Sequence, residues 1–106
     1  MPVAHVVEAK DLGNSYVILW SNGWFEQYGY INGAIANTSV TLWPDVIKVY
    51  YANVRSSRGS TGDDNDYGAA CYASGKTLQI FVYFRNGGYG PQGNCIYWEA
   101  KGTYRK

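Results

Sequence analysis

The sequence predicts an all-β domain, an antiparallel β-sandwich of about seven to eight strands, and three observations carry that reading. Val and Ile together occur fifteen times and Tyr eleven times, against four Leu and three Glu, so residues that suit a pleated surface outnumber good helix formers. Two aromatic-rich runs flank Asn22-Gly23, the strongest short-range hairpin signal. Aromatics reach 17% while charged residues make up only 16% of the 106 residues, which excludes disorder. A chain of this length fits one domain with a radius of gyration of about 13 Å and is too short for a multidomain enzyme.

Ala4 to Ala9 reads as an opening strand, turned by Asp11 to Asn14. Tyr16 to Trp20 and Trp24 to Tyr28 form the hairpin around Asn22-Gly23, a pair expected in a type I′ turn with positive φ at both positions. Ser39 to Trp43 is a short strand stopped by Pro44, which lacks the N–H a central ladder needs. Val46 to Arg55 is longer, with Ile47, Val49 and Tyr51 expected on one face and Lys48 and Tyr50 on the other. Tyr67 to Ala73 and Leu78 to Phe84 are joined by a turn at Ser74-Gly75, and Cys95 to Thr103 closes the domain. No fixed-period repeat or low-complexity tract is present.

Strictly alternating antiparallel strands send every second connection to the same end. Asp11 to Asn14, Asn32 to Thr38, Ser56 to Asp66 and Arg85 to Asn94 therefore gather at one pole. The short turns at Asn22-Gly23, Pro44-Asp45 and Ser74-Gly75 gather at the other with both termini. Binding residues concentrate on loops held by a rigid scaffold, so the loop pole is the expected working end.

A net charge of +1 lacks the basic surplus that drives phosphate binding, and nucleic acid is not an expected partner. No apolar run approaches the roughly 20 residues that cross a bilayer, and the first ten residues lack the features of a signal peptide, so no membrane insertion is expected. Met1-Pro2 followed at once by a strand-like segment is the start expected of a fragment.

Val6-Val7-Glu8, Tyr16, Trp20, Ser21-Asn22-Gly23-Trp24 and Glu26-Gln27, with Trp98-Glu99-Ala100-Lys101-Gly102-Thr103-Tyr104 near the end, resemble the C-terminal domains of bacteriophage tail fibres. That family carries a valine-valine-glutamate start, a Ser-Asp-Gly-Trp-x-Glu-Gln-Gly-Gly hairpin and a Trp-x-Ala-x-Gly-Tyr close. The chain departs at Tyr28-Gly29, where the family usually has two glycines, and at Asn22 in place of aspartate. The middle, Asn32 to Asn94, matches only in strand rhythm. The resemblance implies a single tip domain over residues 1–106, the C-terminal piece of a longer fibre. It implies a homotrimer at the virion's tail fibre tip that binds a bacterial surface polysaccharide or an outer-membrane receptor without catalysis. A monomeric secreted carbohydrate-binding module and a capsule depolymerase fragment are the alternatives. The composition is compatible with that, because so many Tyr and Trp exceed what one small core encloses, and burial between copies would absorb the excess.

Tyr67 and Tyr89 fall in or beside the long loops with Arg58, Asp63, Asn65, Arg85, Asn86, Gln92 and Asn94. Rings that stack on sugar C–H faces, beside side chains that fix hydroxyls, make these the expected receptor-binding residues; packing of the loops is the competing role. Trp20, Trp24, Trp43 and Trp98 are assigned to the core or the trimer interface. Asp63-Asp64-Asn65-Asp66 lacks the glycine and distal glutamate of a calcium loop and reads as a solvated turn, so no metal or other cofactor is expected. Cys71 and Cys95 have no companion at metal-ligand spacing. They could form a disulfide if their strands are neighbours, but in the reducing cytoplasm where a phage protein folds they are expected as buried free thiols. A glycosidase would need two carboxylates facing a saccharide cleft; Glu26 with Glu99 is the pair read inside strands, and a structural role such as hydrogen bonding to turn or interface backbone explains both more simply.

Overall fold

The computed structural model describes residues 3–32, 38–57, 67–84 and 95–106. Among them are eight strands, every pairing antiparallel. β1 (Val6–Asp11), β2 (Ser15–Trp20), β3 (Trp24–Asn32), β8 (Cys95–Tyr104) and β5 (Val46–Ser57) lie side by side in that order in a five-stranded sheet. β4 (Thr38–Thr41), β7 (Thr77–Phe84) and β6 (Tyr67–Ser74) form a second sheet of three. The predicted all-β antiparallel sandwich is therefore the observed fold. Most strands fall within two residues of their expected bounds. β3 runs on to Asn32 because its whole length pairs with β8, from Trp24 opposite Thr103 to Asn32 opposite Cys95.

The core lies between the sheets. Val17, Leu19, Phe25, Leu42, Leu78, Ile80, Ile96, Trp98, Ala100 and Tyr104 are its buried members, and on each strand they alternate with more exposed residues as the two-residue period requires. Gln27 is buried among them, and both ends of its amide are used. Its Nε2 donates to Ser15 Oγ at 3.1 Å, and its Oε1 accepts the Trp43 backbone N–H at 2.9 Å. The start of β2 is thereby tied to the β4–β5 connection, and a buried amide is kept satisfied.

Two local expectations are corrected. Gly23 has φ of +88° but among the described residues none other than glycine has positive φ, Asn22 included, so the hairpin is not a type I′ turn. Gly23 N–H donates to Trp20 O at 3.0 Å and Asn22 Oδ1 accepts from Trp24 N at 3.1 Å. This is the three-residue loop in which a β-turn is followed by a left-handed glycine, with Asn22 acting through its side chain rather than its backbone. On β5 the register shifts between Val46 and Lys48 and again between Val49 and Tyr51. These irregularities break the simple alternation: Val46, Val49, Ala52 and Val54 pack toward the core, while Ile47 and Tyr51 are exposed.

The ends of β3 and β5 and the start of β8 meet at one pole, where Asn32 and Ser57 both pair with Cys95. At the other pole Tyr104 N–H donates to Gly23 O, Arg105 N–H to Asp45 O, and Ser21 N–H to His5 O. Both described termini sit there. The radius of gyration is 15.6 Å, above the roughly 13 Å of an average chain this long. Long strands along one axis account for the excess, since the 12 residues of β5 alone span about 40 Å.

Candidate functional site

The face of the five-stranded sheet turned away from the core carries most of the exposed chemistry. Register arranges it in rows: Ile18, Glu26, Lys101 and Tyr51; then Tyr16, Tyr28, Glu99 and Asn53; then Tyr30, Tyr97 and Arg55. Glu26 is the centre of the first. It accepts from Trp20 Nε1 at 2.9 Å and from the Tyr28 hydroxyl at 2.8 Å, and Lys101 Nζ lies 3.8 Å away. Glu99 accepts from the Tyr51 hydroxyl at 3.1 Å. Cations lie over rings across the face: Lys101 is 5.9 Å from the centre of Tyr28 and 5.5 Å from that of Tyr51, Lys48 4.9 Å from Tyr50, and Arg55 5.5 Å from Tyr97. Each such contact adds about 0.5–1 kcal/mol at an exposed site, so together they order the side chains more than they stabilise the fold.

Glu26 and Glu99 are thus hydrogen-bond acceptors for indole and phenol groups, a structural role with side-chain partners. The carboxylates also hold their neighbours protonated. Burial, the hydrogen bond to Glu26 and the charges of Glu26 and Glu99 push the Tyr28 hydroxyl up to about 12. The bond to Glu99, then desolvation, raises Tyr51 as well. An ordinary phenol ionises near about 10, so between that pH and 12 the folded state holds a proton on Tyr28 that the unfolded state has released. Stability from this group is present below pH 10 and declines as pH rises toward 12. An ultraviolet phenolate titration is expected to show a late phase above the main tyrosine transition, and Tyr28→Phe to diminish it. An unchanged late phase in that variant would contradict the assignment.

Between the second and third rows Tyr28, Asn53, Arg55, Tyr97 and Glu99 wall a groove of about 370 Å³. The parity of the strands turns the Trp98 side chain to the core and Gly29 carries none, so their backbone forms its floor.

Of the residues expected to bind a receptor, Arg58, Asp63, Asn65, Arg85, Asn86, Tyr89, Gln92 and Asn94 lie outside the described residues. Tyr67 is placed only by its backbone, at the start of β6 opposite Phe84. The tryptophans separate. Trp98 is 4% exposed and in the core. Trp20 bonds Glu26, and Trp24 leans on Tyr50 at 6.1 Å. Trp43 is exposed with Lys10 Nζ 5.3 Å above its ring. Cys71 is a free, half-buried thiol whose ionisation burial pushes up, which makes it less reactive. Among the described residues no group of three or more His, Cys, Asp or Glu is placed to hold a metal, and no helix is long and apolar enough to cross a membrane. The groove residues were missed in the sequence because β5 alternation, read without its bulges, does not show Asn53 and Arg55 joining Tyr97 and Glu99 on one face.

No family model matches the chain, and no curated protein does. A solved structure does: an N-truncated R2-type pyocin tail fibre, 25% identical, with a TM-score of 0.60 over 95% of this chain. The resemblance to a tail fibre domain is borne out. The match takes in 38% of that fibre's chain, so what a whole fibre does is not thereby assigned to this one.

The fold also explains the tail fibre motifs. Trp98, Ala100, Gly102 and Tyr104 are successive core-facing positions of β8, all buried, and the Tyr104 hydroxyl donates to Trp20 O at 2.9 Å. The Trp98 indole occupies the space that a Cβ on Gly29 would need. Residue 28 points the other way, to the open face, which is why tyrosine is accommodated where tail fibres usually carry the first of two glycines while Gly29 is retained.

Proposed function

We propose that the chain is a non-enzymatic receptor-binding domain at the tip of a phage tail fibre, acting as a homotrimer that recognises bacterial surface glycan at its loop pole. The observation that carries this is the tail fibre likeness over 95% of the chain. The exposed apolar side chains support the homotrimer. Val3, Val6, Val7, Ile47 and Tyr50 stand exposed in the half of the molecule that holds the described termini. Val3, Val6 and Val7 lie at or beside the β1 edge of the five-stranded sheet and Ile47 and Tyr50 at the β5 edge, two exposed apolar edges that association between copies would cover. Three loop poles presented together add weak saccharide contacts through effective concentration, so each site need bind only weakly.

An array of bacterial surface oligosaccharides, probed with the full chain and with Tyr67→Ala and Tyr89→Ala, tests the reading. Binding by the wild type that falls at least tenfold in either variant is the expected result. Wild-type binding unchanged in both variants would overturn the loop assignment, and released oligosaccharide would overturn the non-enzymatic one.

A further inference from the structure

We propose a second saccharide subsite, resting on the glycan reading above but lying on the sheet rather than the loops: the groove walled by Tyr28, Asn53, Arg55, Tyr97 and Glu99 takes one neutral, hydroxyl-rich sugar unit. A sugar ring needs three things from a protein surface: apolar area for its C–H faces, donors and acceptors for its hydroxyls, and enough enclosure to exclude some water. The groove offers all three.

Tyr97, 44% exposed, and Tyr28 on the neighbouring strand line the groove with aromatic carbon. Arg55 contributes only donors, Glu99 only acceptors, and the Asn53 amide both. Their placement is fixed in advance. Arg55 rests over Tyr97 at 5.5 Å, and one Glu99 oxygen is held by the Tyr51 hydroxyl at 3.1 Å. Binding then orders few side chains, which lowers its entropic cost. The volume of about 370 Å³ lies at the low end of ligand sites, roughly 300–1,000 Å³, and fits one sugar unit rather than a chain of them.

Charge selects the class. Arg55 and Glu99 stand in adjacent rows, so an acidic sugar drawn to the guanidinium meets a carboxylate beside it, while a neutral sugar satisfies both. Position agrees with function as well: the groove sits in the half of the sheet from whose strand ends, at Ser57 and Cys95, residues 58–66 and 85–94 depart and return.

The test uses the same oligosaccharide array with Arg55→Ala and Tyr97→Ala, whose side chains are exposed, and with Tyr72→Ala, an exposed ring on the other sheet, as control. Wild-type binding to neutral oligosaccharides that falls at least tenfold in both groove variants and holds in the control supports the subsite. Wild-type binding retained in both groove variants overturns it and leaves the glycan reading standing. Wild-type binding only to acidic oligosaccharides overturns the ligand class. No binding by the wild type overturns the subsite and the glycan reading together.

Discussion

Replacing Trp98 by Ala is expected to lower the unfolding free energy by about 3–5 kcal/mol, the range for deleting a buried indole or phenyl ring. Trp98 is 4% exposed in the core between Ile96 and Ala100 on β8, and its ring covers Gly29 on β3. No neighbouring backbone can move into the space, because both strands are pinned in a nine-pair ladder from Trp24–Thr103 to Asn32–Cys95. The same geometry makes Gly29→Ala costly alone, since the new methyl overlaps the indole. In the Trp98→Ala background that obstacle is gone. A double-mutant cycle in denaturant, at one protein concentration, should therefore show strong coupling, with Gly29→Ala much cheaper in the second background. Additive costs would mean that the ring does not lie on residue 29.

Gly102→Ala is expected to cost at least about 3 kcal/mol, the upper range for overpacking. A Cβ there would overlap the carbonyl oxygen of Lys48 and crowd Val49 Cα at 2.9 Å, so backbone rather than a flexible side chain stands in the way. Lys48 and Val49 lie between the two register shifts of β5, where the bulged strand bends toward β8. An added methyl would part the β5–β8 ladder at the pole where both described termini sit. Gly75→Ala is the contrasting control: nothing stands within 4 Å of its Cβ position and only its φ of +58° is strained, a cost of about 1–2 kcal/mol. Thermal melts that place Gly102→Ala at or above Gly75→Ala in stability would refute the close-approach argument.

The all-β class and nearly every strand were legible because β-branched and aromatic residues, Pro44 and the turn glycines act locally. What was not legible is set by pairing distant in sequence. β8 inserts between β3 and β5, and no local signal in Trp24 to Asn32 announces a partner some seventy residues on. The β5 bulges are of the same kind. Val46 to Arg55 reads as regular alternation until Gly102 is placed beside it, and the shift decides whether Tyr51 faces core or solvent. For the same reason Glu26 and Glu99 could be recognised as motif residues but not as acceptors for Trp20, Tyr28 and Tyr51. The groove followed only from the register that brings Arg55 opposite Tyr97.

Solution mass, by sedimentation velocity across a range of concentrations, tests most directly the claim that copies cover one another's exposed apolar surface. One species at three times the 11.8 kDa chain mass, persisting on dilution, is the predicted result. A stable monomer with Ile47 and Tyr50 left in water would contradict it.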